Sequence, residues 1–348
     1  KTIEIVQDVP YIPVKNKDIC CVSSYTHAVK IGDDPIIIAE RINPTGKPLL
    51  KKALRENDMD FILKEALTQE EHGSHILDVN VGLPEIDEAE MMVKVVKTIQ
   101  SVVNLPLQID SSDPAAIEAG LRVFNGKAIV NSVNGEQEVM DKILPIVKKY
   151  GASVVGLAMD SKGIPKSAEE RINIAKRILD NALKHGIKKE DVFIDCLTLT
   201  VSAQQEQAVE TLKAVRYVKE EMGLHTVLGV SNISFGLPAR EFITCNFLIQ
   251  AMANGLDLPI INPNQQAVMD AVYSFKVLSG EDKDSEKFIE RFAGRTPVQE
   301  TATQNAGVKK SDDEKKSDLD IAYAVSKGLK EEAARITSEL LKTMSEMD

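Results

Sequence analysis

The chain has 348 residues, of which 43% are hydrophobic and 27% are charged, and this composition is typical of a globular protein. The net charge of -11, with no cluster of basic residues, argues against a protein that binds nucleic-acid phosphates. The four cysteines form no CxxC pair, which argues against a disulfide framework or a structural zinc site and predicts a cytoplasmic protein.

The N-terminal region, residues 1–34, precedes the first predicted strand of the main domain. It carries a short alternating stretch, ICCVSSYTHAVKI, which predicts a hairpin or an extended arm that covers the N-terminal end of the domain. No signal peptide is visible, and no apolar run approaches the roughly 18 residues that a membrane helix needs. The first residue is Lys1 rather than Met, so we expect a piece of a longer protein.

Eight short apolar runs then alternate with amphipathic stretches. The runs are 35–40, 75–81, 105–110, 127–133, 153–160, 191–199, 225–232 and 257–263. Near-continuous apolar strands between helices indicate a parallel sheet that is buried on both faces. Eight such units match the size of a closed (β/α)8 TIM barrel, roughly 250 residues. An open doubly wound sheet is the alternative, and the lack of a GxGxxG motif places it second.

The helical stretches show one apolar face each. In AEERINIAKRILDNALKHG, the residues Ile172, Ala175, Ile178, Leu179 and Ala182 share a face, and the charged residues are expected on the other. After the barrel, residues 319–344 carry two apolar stripes separated near Gly328, which predict two helices that bury their stripes against another surface.

Nearly every predicted strand ends on Asp, Asn or Ser. Such residues also cap helices and form turns, and Asp113 before Pro114 is readily explained in that way. Asp78 and Asn80 are harder to explain as caps, because they lie two apart in HILDVNV and so share one side of the strand. Active sites of TIM barrels lie at the carboxyl ends of the strands, so we expect a polar site there.

A ring of carboxylates and amides suits a flat heterocycle with alternating hydrogen-bond donors and acceptors, such as a pterin or a guanine. Carboxylates alone also fit Mg²⁺. The chain has no Cys/His cluster and no HExxH motif, and His72 and His75 straddle a helix-to-strand turn. We therefore predict no metal site and leave the choice between the two heterocycles open.

Seven ordered motifs resemble the pterin-binding methyltransferase family. They are ERINPTG (40–46), LDVNVG (77–82), QIDSSDPAAIEAGL (108–121), VNSVNG (130–135), GIPK (163–166), FIDCLTL (193–199) and VLGVSNISFGLPAR (227–240). The family includes the folate module of cobalamin-dependent methionine synthase and the methyltetrahydrofolate:corrinoid protein methyltransferases. SFGLPAR and its flanking segments favour the methionine synthase members.

The resemblance implies a division of the chain into four parts: a connector (1–34), a pterin-binding barrel (35–294), a linker (295–317) and the first helices of a truncated cobalamin-binding module (318–348). The homocysteine module with its cysteine-ligated zinc has no counterpart, and no DxHxxG motif supplies a ligand for cobalt. The implied partners are therefore a cobalamin-binding module and, in the full-length protein, a homocysteine-binding module. Neither a nucleic acid nor a membrane is an expected partner.

The resemblance also implies site residues. Asp110 and Asp195 match the carboxylates at the pterin edge, Asn131 matches an amide contact, and Asn232 matches the Asn near pterin N5, so Asn232 and Asp110 are the expected catalytic pair. Four further residues lie in matching motifs with less defined roles: Glu40, Asn43, Asp78 and Asn80. Arg240 matches a basic residue with ligand or loop contacts.

The expected reaction is transfer of the N5 methyl group of 5-methyltetrahydrofolate to cob(I)alamin, which is the folate half-reaction of methionine synthesis. Three alternatives stay open: a methyltetrahydrofolate:corrinoid protein methyltransferase, a dihydropteroate synthase-like enzyme, and a scaffold that binds folate without catalysis. No convincing pyrophosphate site supports the second alternative.

Overall fold

The computed structural model describes residues 19–294 and Thr337. The predicted linker and the predicted helices of residues 319–344 otherwise lie outside the described residues, as does the start of the N-terminal arm.

Eight parallel strands form a closed barrel, in which each strand pairs with its neighbours in sequence and the last strand pairs with the first. The strands are β3 (Ile38–Ile42), β4 (Ile76–Val79), β5 (Leu107–Asp110), β6 (Ile129–Val133), β7 (Ser153–Leu157), β8 (Val192–Asp195), β9 (His225–Gly229) and β10 (Leu258–Ile261). Seven of them lie within one of the apolar runs, and β3 overlaps the run 35–40 and extends two residues beyond it. The TIM-barrel prediction is therefore confirmed, and the open sheet is wrong.

Ten helices accompany the strands in the part of the chain described. They are α1 (Pro48–Glu56), α2 (Met59–Glu71), α3 (Glu88–Gln100), α4 (Pro114–Val123), α5 (Gln137–Tyr150), α6 (Ala168–Lys184), α7 (Gln207–Glu220), α8 (Arg240–Ala253), α9 (Gln266–Leu278) and α10 (Glu286–Phe292). Asp113 caps α4 as predicted, because its carboxylate accepts a hydrogen bond from the Ala115 amide. Helix starts thus account for some of the polar residues near the strand ends.

The core has two apolar layers. The larger layer lies between the strands and the surrounding helices and includes Leu77, Ile109 and Ile178. The smaller layer fills the barrel interior and includes Ile129 and Phe193. Strands that are buried on both faces explain why the sequence shows continuous apolar runs instead of alternation.

A two-stranded antiparallel hairpin, β1 (Cys21–Ser23) and β2 (Ala28–Lys30), precedes the barrel. Val22 is fully buried and joins the apolar layer inside the barrel. The Ser23 amide donates to the Lys127 carbonyl oxygen at 3.0 Å, just before β6 begins. A Cβ atom at Gly126 would lie 2.1 Å from the Ser23 carbonyl oxygen, so only glycine allows this close approach. The expected hairpin is therefore present, and it covers the amino ends of the strands.

Candidate functional site

A cavity of about 620 Å³ opens at the carboxyl ends of the strands. It is built by the loops and strand ends of both halves of the chain, as expected for a TIM barrel. Seven of the predicted site residues line it: Glu40, Asn43, Asp78, Asp110, Asn131, Asn232 and Arg240. Polar residues that are spread over nearly two hundred positions in the sequence therefore meet at one place.

The floor of the cavity holds a pair of carboxyl groups. Asp78 is buried at the end of β4, and its side chain hydrogen-bonds that of Asp110 at the end of β5. Gln108 donates to Asp78 Oδ1 at 2.7 Å. Burial raises the pKa of Asp78 well above its usual range, and the nearby Asp110 carboxyl contributes a smaller rise. Burial therefore favours the protonated form of Asp78, which donates its hydrogen bond to Asp110.

Asp110 is the anionic member of the pair. Burial raises the pKa of Asp110 to about 6, and hydrogen bonds from Asn80 and Asp78 oppose that rise. The Asn43 side-chain amide approaches Asp110 Oδ2 at 3.5 Å. Asn80 does not line the cavity itself, so its observed role is to support Asp110. A carboxylate held in this way presents fixed acceptors to a ligand.

Two side-chain amides line the cavity without protein partners. No described residue hydrogen-bonds the side-chain amide of Asn131 or of Asn232, so both are free to contact a ligand. Asn232 lies in a single 3₁₀ turn, Val230–Ser234, that follows β9 directly. Its carbonyl oxygen closes that turn by accepting from the Phe235 amide. Turn formation thus uses the backbone of Asn232 and leaves its amide available.

The opposite wall of the cavity is charged. Ser231 donates to Glu40 Oε1 at 3.0 Å, and burial raises the pKa of Glu40. Arg240 donates to the Ser234 hydroxyl and to the Ser231 carbonyl oxygen, both at 3.0 Å, and its guanidinium lies 4.4 Å from the centre of the Phe235 ring. Arg240 therefore holds the loop after β9 in place, and a contact with the ligand remains a prediction.

Asp195 lies apart from the other predicted residues. It ends β8 as expected and is buried, but it does not line the cavity described above. Its Oδ1 accepts from the Leu197 amide at 2.7 Å. Burial raises the pKa of Asp195 to about 7. Part of the Asp195 population therefore carries a proton at neutral pH, and its contact with a ligand stays a prediction.

The sequence analysis missed two residues of the site. Lys47 lines the cavity and donates to the carbonyl oxygens of Glu40 and Asn43, and burial lowers its pKa. Gln108 is fully buried, and its Oε1 has no hydrogen-bond partner among the described residues. Lys47 directly follows ERINPTG, so that motif was one residue too short. Gln108 is itself a polar residue inside the apolar run 105–110, and that unusual position could have indicated a role in the site.

The described residues contain no group of three or more His, Cys, Asp or Glu side chains arranged to hold a metal ion. A search of the same residues finds no helix that is long and apolar enough to cross a membrane. What the site offers is hydrogen bonding: one carboxylate, one protonated carboxyl and two unpaired amides. These groups suit a polar heterocycle.

Two curated relatives carry names that point to methyl transfer and methionine formation. The chain is 32% identical over 261 residues to a methylcorrinoid:tetrahydrofolate methyltransferase of Eubacterium limosum, which covers 74% of the chain and 96% of the relative. It is 30% identical over 279 residues to a methionine synthase of Mycobacterium leprae, which covers 72% of the chain and only 23% of that relative. The chain thus spans about a quarter of the length of that methionine synthase.

Solved structures of dihydropteroate synthases share the fold. An enzyme from Xanthomonas albilineans with 4-aminobenzoic acid matches with a TM-score of 0.60 at 17% identity, over 74% of the chain and 98% of that structure. One from Yersinia pestis with a pterine-sulfa conjugate matches with a TM-score of 0.59 at 15% identity, over 75% of the chain and 99% of that structure. At these identities the similarity establishes the barrel alone.

The family comparison covers most of the barrel. The model of the pterin-binding enzymes matches residues 39–262, which run from β3 to the residue that follows β10. The match therefore includes every predicted site residue, and the methyltransferase among the relatives aligns over nearly its whole length. The chain belongs to the family of pterin-binding enzymes, as a relative of its methyltransferases.

Proposed function

We propose that this chain binds 5-methyltetrahydrofolate and transfers its N5 methyl group to cob(I)alamin carried by a partner module. The observation that carries the proposal is that one cavity contains both the Asp110 carboxylate and the side-chain amides of Asn131 and Asn232, which have no partner among the described residues. A pterin edge offers adjacent N–H and NH₂ donors, which a carboxylate accepts, and ring nitrogens and a carbonyl, which amides contact.

The chemistry requires activation of N5. The methyl group is transferred as a cation equivalent, so the electron pair of the N5–C bond stays on nitrogen. Cobalt(I) supplies the electron pair for the new Co–C bond. N5 must take up a proton or a strong hydrogen bond as this happens. A neutral amide such as Asn232 donates at any pH near 7 and stabilises the transition state more than the ground state.

Buried carboxyl groups in the same cavity support this role. Asp78 and Asp110 together hold a proton at the cavity floor. The pair donates and accepts without changing its total charge, which suits a ligand that gains a proton during the reaction. We infer distributed stabilisation of the protonated pterin, with water as the final proton source.

The test is direct methyl transfer. The chain is mixed without oxygen with 5-methyltetrahydrofolate and chemically reduced cob(I)alamin, and the absorbance of methylcobalamin is followed. Appearance of methylcobalamin, and its loss in Asn232→Ala, is the expected result. Binding of methyltetrahydrofolate with no transfer to free cob(I)alamin or to a corrinoid protein identifies a binding scaffold and overturns the proposal.

A second candidate is transfer in the opposite direction, from a methylcorrinoid protein to tetrahydrofolate. It is favoured by one observation: the methylcorrinoid:tetrahydrofolate methyltransferase of Eubacterium limosum aligns over 96% of its length, whereas the methionine synthase of Mycobacterium leprae aligns over 23%. Single-turnover rates measured in both directions with the same corrinoid protein decide between them. A cobalamin-binding module, and a homocysteine-binding module in a longer protein, are the partners that the first direction requires.

A further inference from the structure

Arg171 is a fully buried cation in the first turn of α6, where the amphipathic pattern had predicted an exposed charged face. All of its hydrogen bonds end on neutral oxygens. The acceptors are the carbonyls of Pro165, Cys196 and Leu197, the Thr211 hydroxyl and the Gln207 side-chain carbonyl, at 2.7 to 3.0 Å. A buried arginine is normally paired with a carboxylate, so this arrangement requires an explanation.

Arg171 fixes the backbone that follows Asp195. One of its nitrogens, Nη1, donates to the carbonyl oxygens of Cys196 at 2.8 Å and Leu197 at 3.0 Å. Leu197 adopts a left-handed conformation with a φ of 63°, which β-branched and bulky residues rarely accept without support. This conformation directs the Leu197 amide to Asp195 Oδ1. The guanidinium thus stabilises the turn that orients the Asp195 carboxylate.

The charge of Arg171 also acts on Asp195. The guanidinium keeps its charge even though burial lowers its pKa. It is the one charged group among the described residues that influences the pKa of Asp195, which it lowers against the effect of burial. The neighbouring Cys196 stays a neutral thiol because burial raises its pKa.

The flanking strands add no competing charge. Leu157 of β7 and Val227 of β9 lie in register with Asp195, and neither titrates. Glu210 of α7 is the other carboxylate near Arg171, but it pairs with Lys213 and accepts from the Ala168 amide. Arg171 is thus the cation that balances Asp195.

We propose that Arg171 is a positioning residue that orients the Asp195 carboxylate through the turn at Leu197 and favours its ionised form, so that it accepts hydrogen bonds from a pterin ring. This inference rests on the proposed function for its ligand. It assigns to Arg171 no contact with substrate. The coupling between Arg171 and Asp195 can be measured without any ligand.

The test uses Gln207→Glu, which places a carboxylate 2.7 Å from Arg171 Nη2 with little change of shape. The new carboxylate offsets the positive charge of Arg171, while the hydrogen bonds that Arg171 donates remain. Carbon-13 NMR of labelled aspartate carboxyls, with Asp195 assigned through Asp195→Asn, gives its pKa in each variant. We expect a rise of about one unit in Gln207→Glu, which is a tenfold change in ionisation. Gln205→Glu adds the same charge at an exposed position of the preceding loop and should leave the titration unchanged.

Binding of methyltetrahydrofolate as a function of pH gives the second readout. In Gln207→Glu the pH midpoint of binding should move up with the pKa of Asp195, so that affinity falls about fivefold at pH 7 and recovers at alkaline pH. A purely structural role for Arg171 would lower affinity equally at every pH. An unchanged Asp195 titration in Gln207→Glu overturns the proposal.

Arg171→Lys separates charge from geometry and serves if Gln207→Glu does not fold. Lysine keeps the charge but cannot reach several carbonyls with a planar fork. We expect a near-native titration of Asp195 with affinity lowered about tenfold; native affinity would show that the guanidinium does not orient Asp195. If the native chain binds no methyltetrahydrofolate, the proposed function fails, while the NMR titration still decides whether Arg171 controls Asp195.

Discussion

The side chains of Asp78 and Asp110 hydrogen-bond each other across the neighbouring strands β4 and β5. Two carboxyl groups at this distance cannot both be ionised, so one proton stays with the pair at neutral pH. Gln108 donates to Asp78, and a hydrogen bond from Asn80 stabilises the Asp110 carboxylate. The pair therefore has a defined polarity, in which Asp78 donates and Asp110 accepts.

This polarity predicts unequal effects of two similar substitutions. Asp110→Asn replaces an anionic acceptor with an amide and should weaken binding of methyltetrahydrofolate about 10–100-fold. Asp78→Asn resembles the protonated acid, since its amide still accepts from Gln108 and donates to Asp110, and should weaken binding less than about threefold. Isothermal titration calorimetry at pH 7.5 measures both. Equal losses in the two variants would contradict the assigned protonation.

The same pair predicts the pH dependence of binding. Because the pKa of Asp110 is raised to about 6, protonation removes its acceptor as the pH falls below that value. Affinity should decline as the pH falls through about 7, where Asp195 gains its proton, and should decline more steeply below 6, where Asp110 gains its proton as well. Binding isotherms between about pH 5 and 8.5 check this, and Asp110→Asn should lose only the steeper part of the decline.

Asn232 is predicted to act on rate more than on affinity. Asn232→Ala should reduce single-turnover methyl transfer about 10²–10³-fold, which is typical for loss of one preorganised donor, with a smaller loss of binding. Asn131→Ala is the matched comparison, because its amide lines the same cavity and has no proposed role at N5, and it should lower mainly affinity. If Asn232→Asp keeps full turnover at neutral and alkaline pH, the proton reaches N5 by another route.

Asp195 is predicted to limit stability at high pH. Its pKa is raised from the usual 3.8 to about 7 by burial, so the folded chain binds its proton more tightly than the unfolded chain does. Its contribution to the free energy of unfolding is therefore present below about pH 4 and is lost as the pH rises to about 7. Asp195→Asn should be more stable than the native chain at pH 8, by at most about 4 kcal/mol, and the difference should vanish near pH 4. Urea unfolding at both pH values measures it.

The hairpin is predicted to stabilise the barrel without affecting the site. Val22 is fully buried in the barrel interior, so Val22→Ala should lower the free energy of unfolding by about 2 kcal/mol. Val29 lies opposite Val22 in the hairpin and is only half-buried, so Val29→Ala should cost less. Affinity for methyltetrahydrofolate should be unchanged in both. A loss of affinity in Val22→Ala would show that the two ends of the barrel are coupled.

Hydrophobic periodicity was sufficient to predict the eight strands and their parallel arrangement, because strands that are buried on both faces consist mostly of apolar residues. Strand ends were less well predicted. The run 191–199 continues past Asp195, but the left-handed Leu197 ends the strand there. In the run 225–232, the strand likewise ends before the run does, at Gly229, where the chain enters a 3₁₀ turn. Apolar composition does not encode either conformational change.

Two cations that were not predicted from the sequence share one property: their charged groups donate to backbone carbonyl oxygens. Lys47 donates to two carbonyl oxygens, and Arg171 does so in the loop after β8. An amphipathic pattern assigns a charged residue to the exposed face of a helix, because the pattern contains no information about nearby carbonyl oxygens that need a hydrogen-bond donor. Such residues become recognisable only when the loops are placed in three dimensions.

The hydrogen bond from Ser231 to Glu40 joins residues 191 positions apart, because β10 closes the ring by pairing with both β9 and β3. The cavity wall accordingly extends from Glu40 to Gln265 in sequence. During synthesis, a nascent chain still held by the ribosome short of Gln265 has an incomplete wall and no closed ring. A pterin ligand therefore recognises only a finished barrel, and its stabilising effect selects completed molecules over truncated ones.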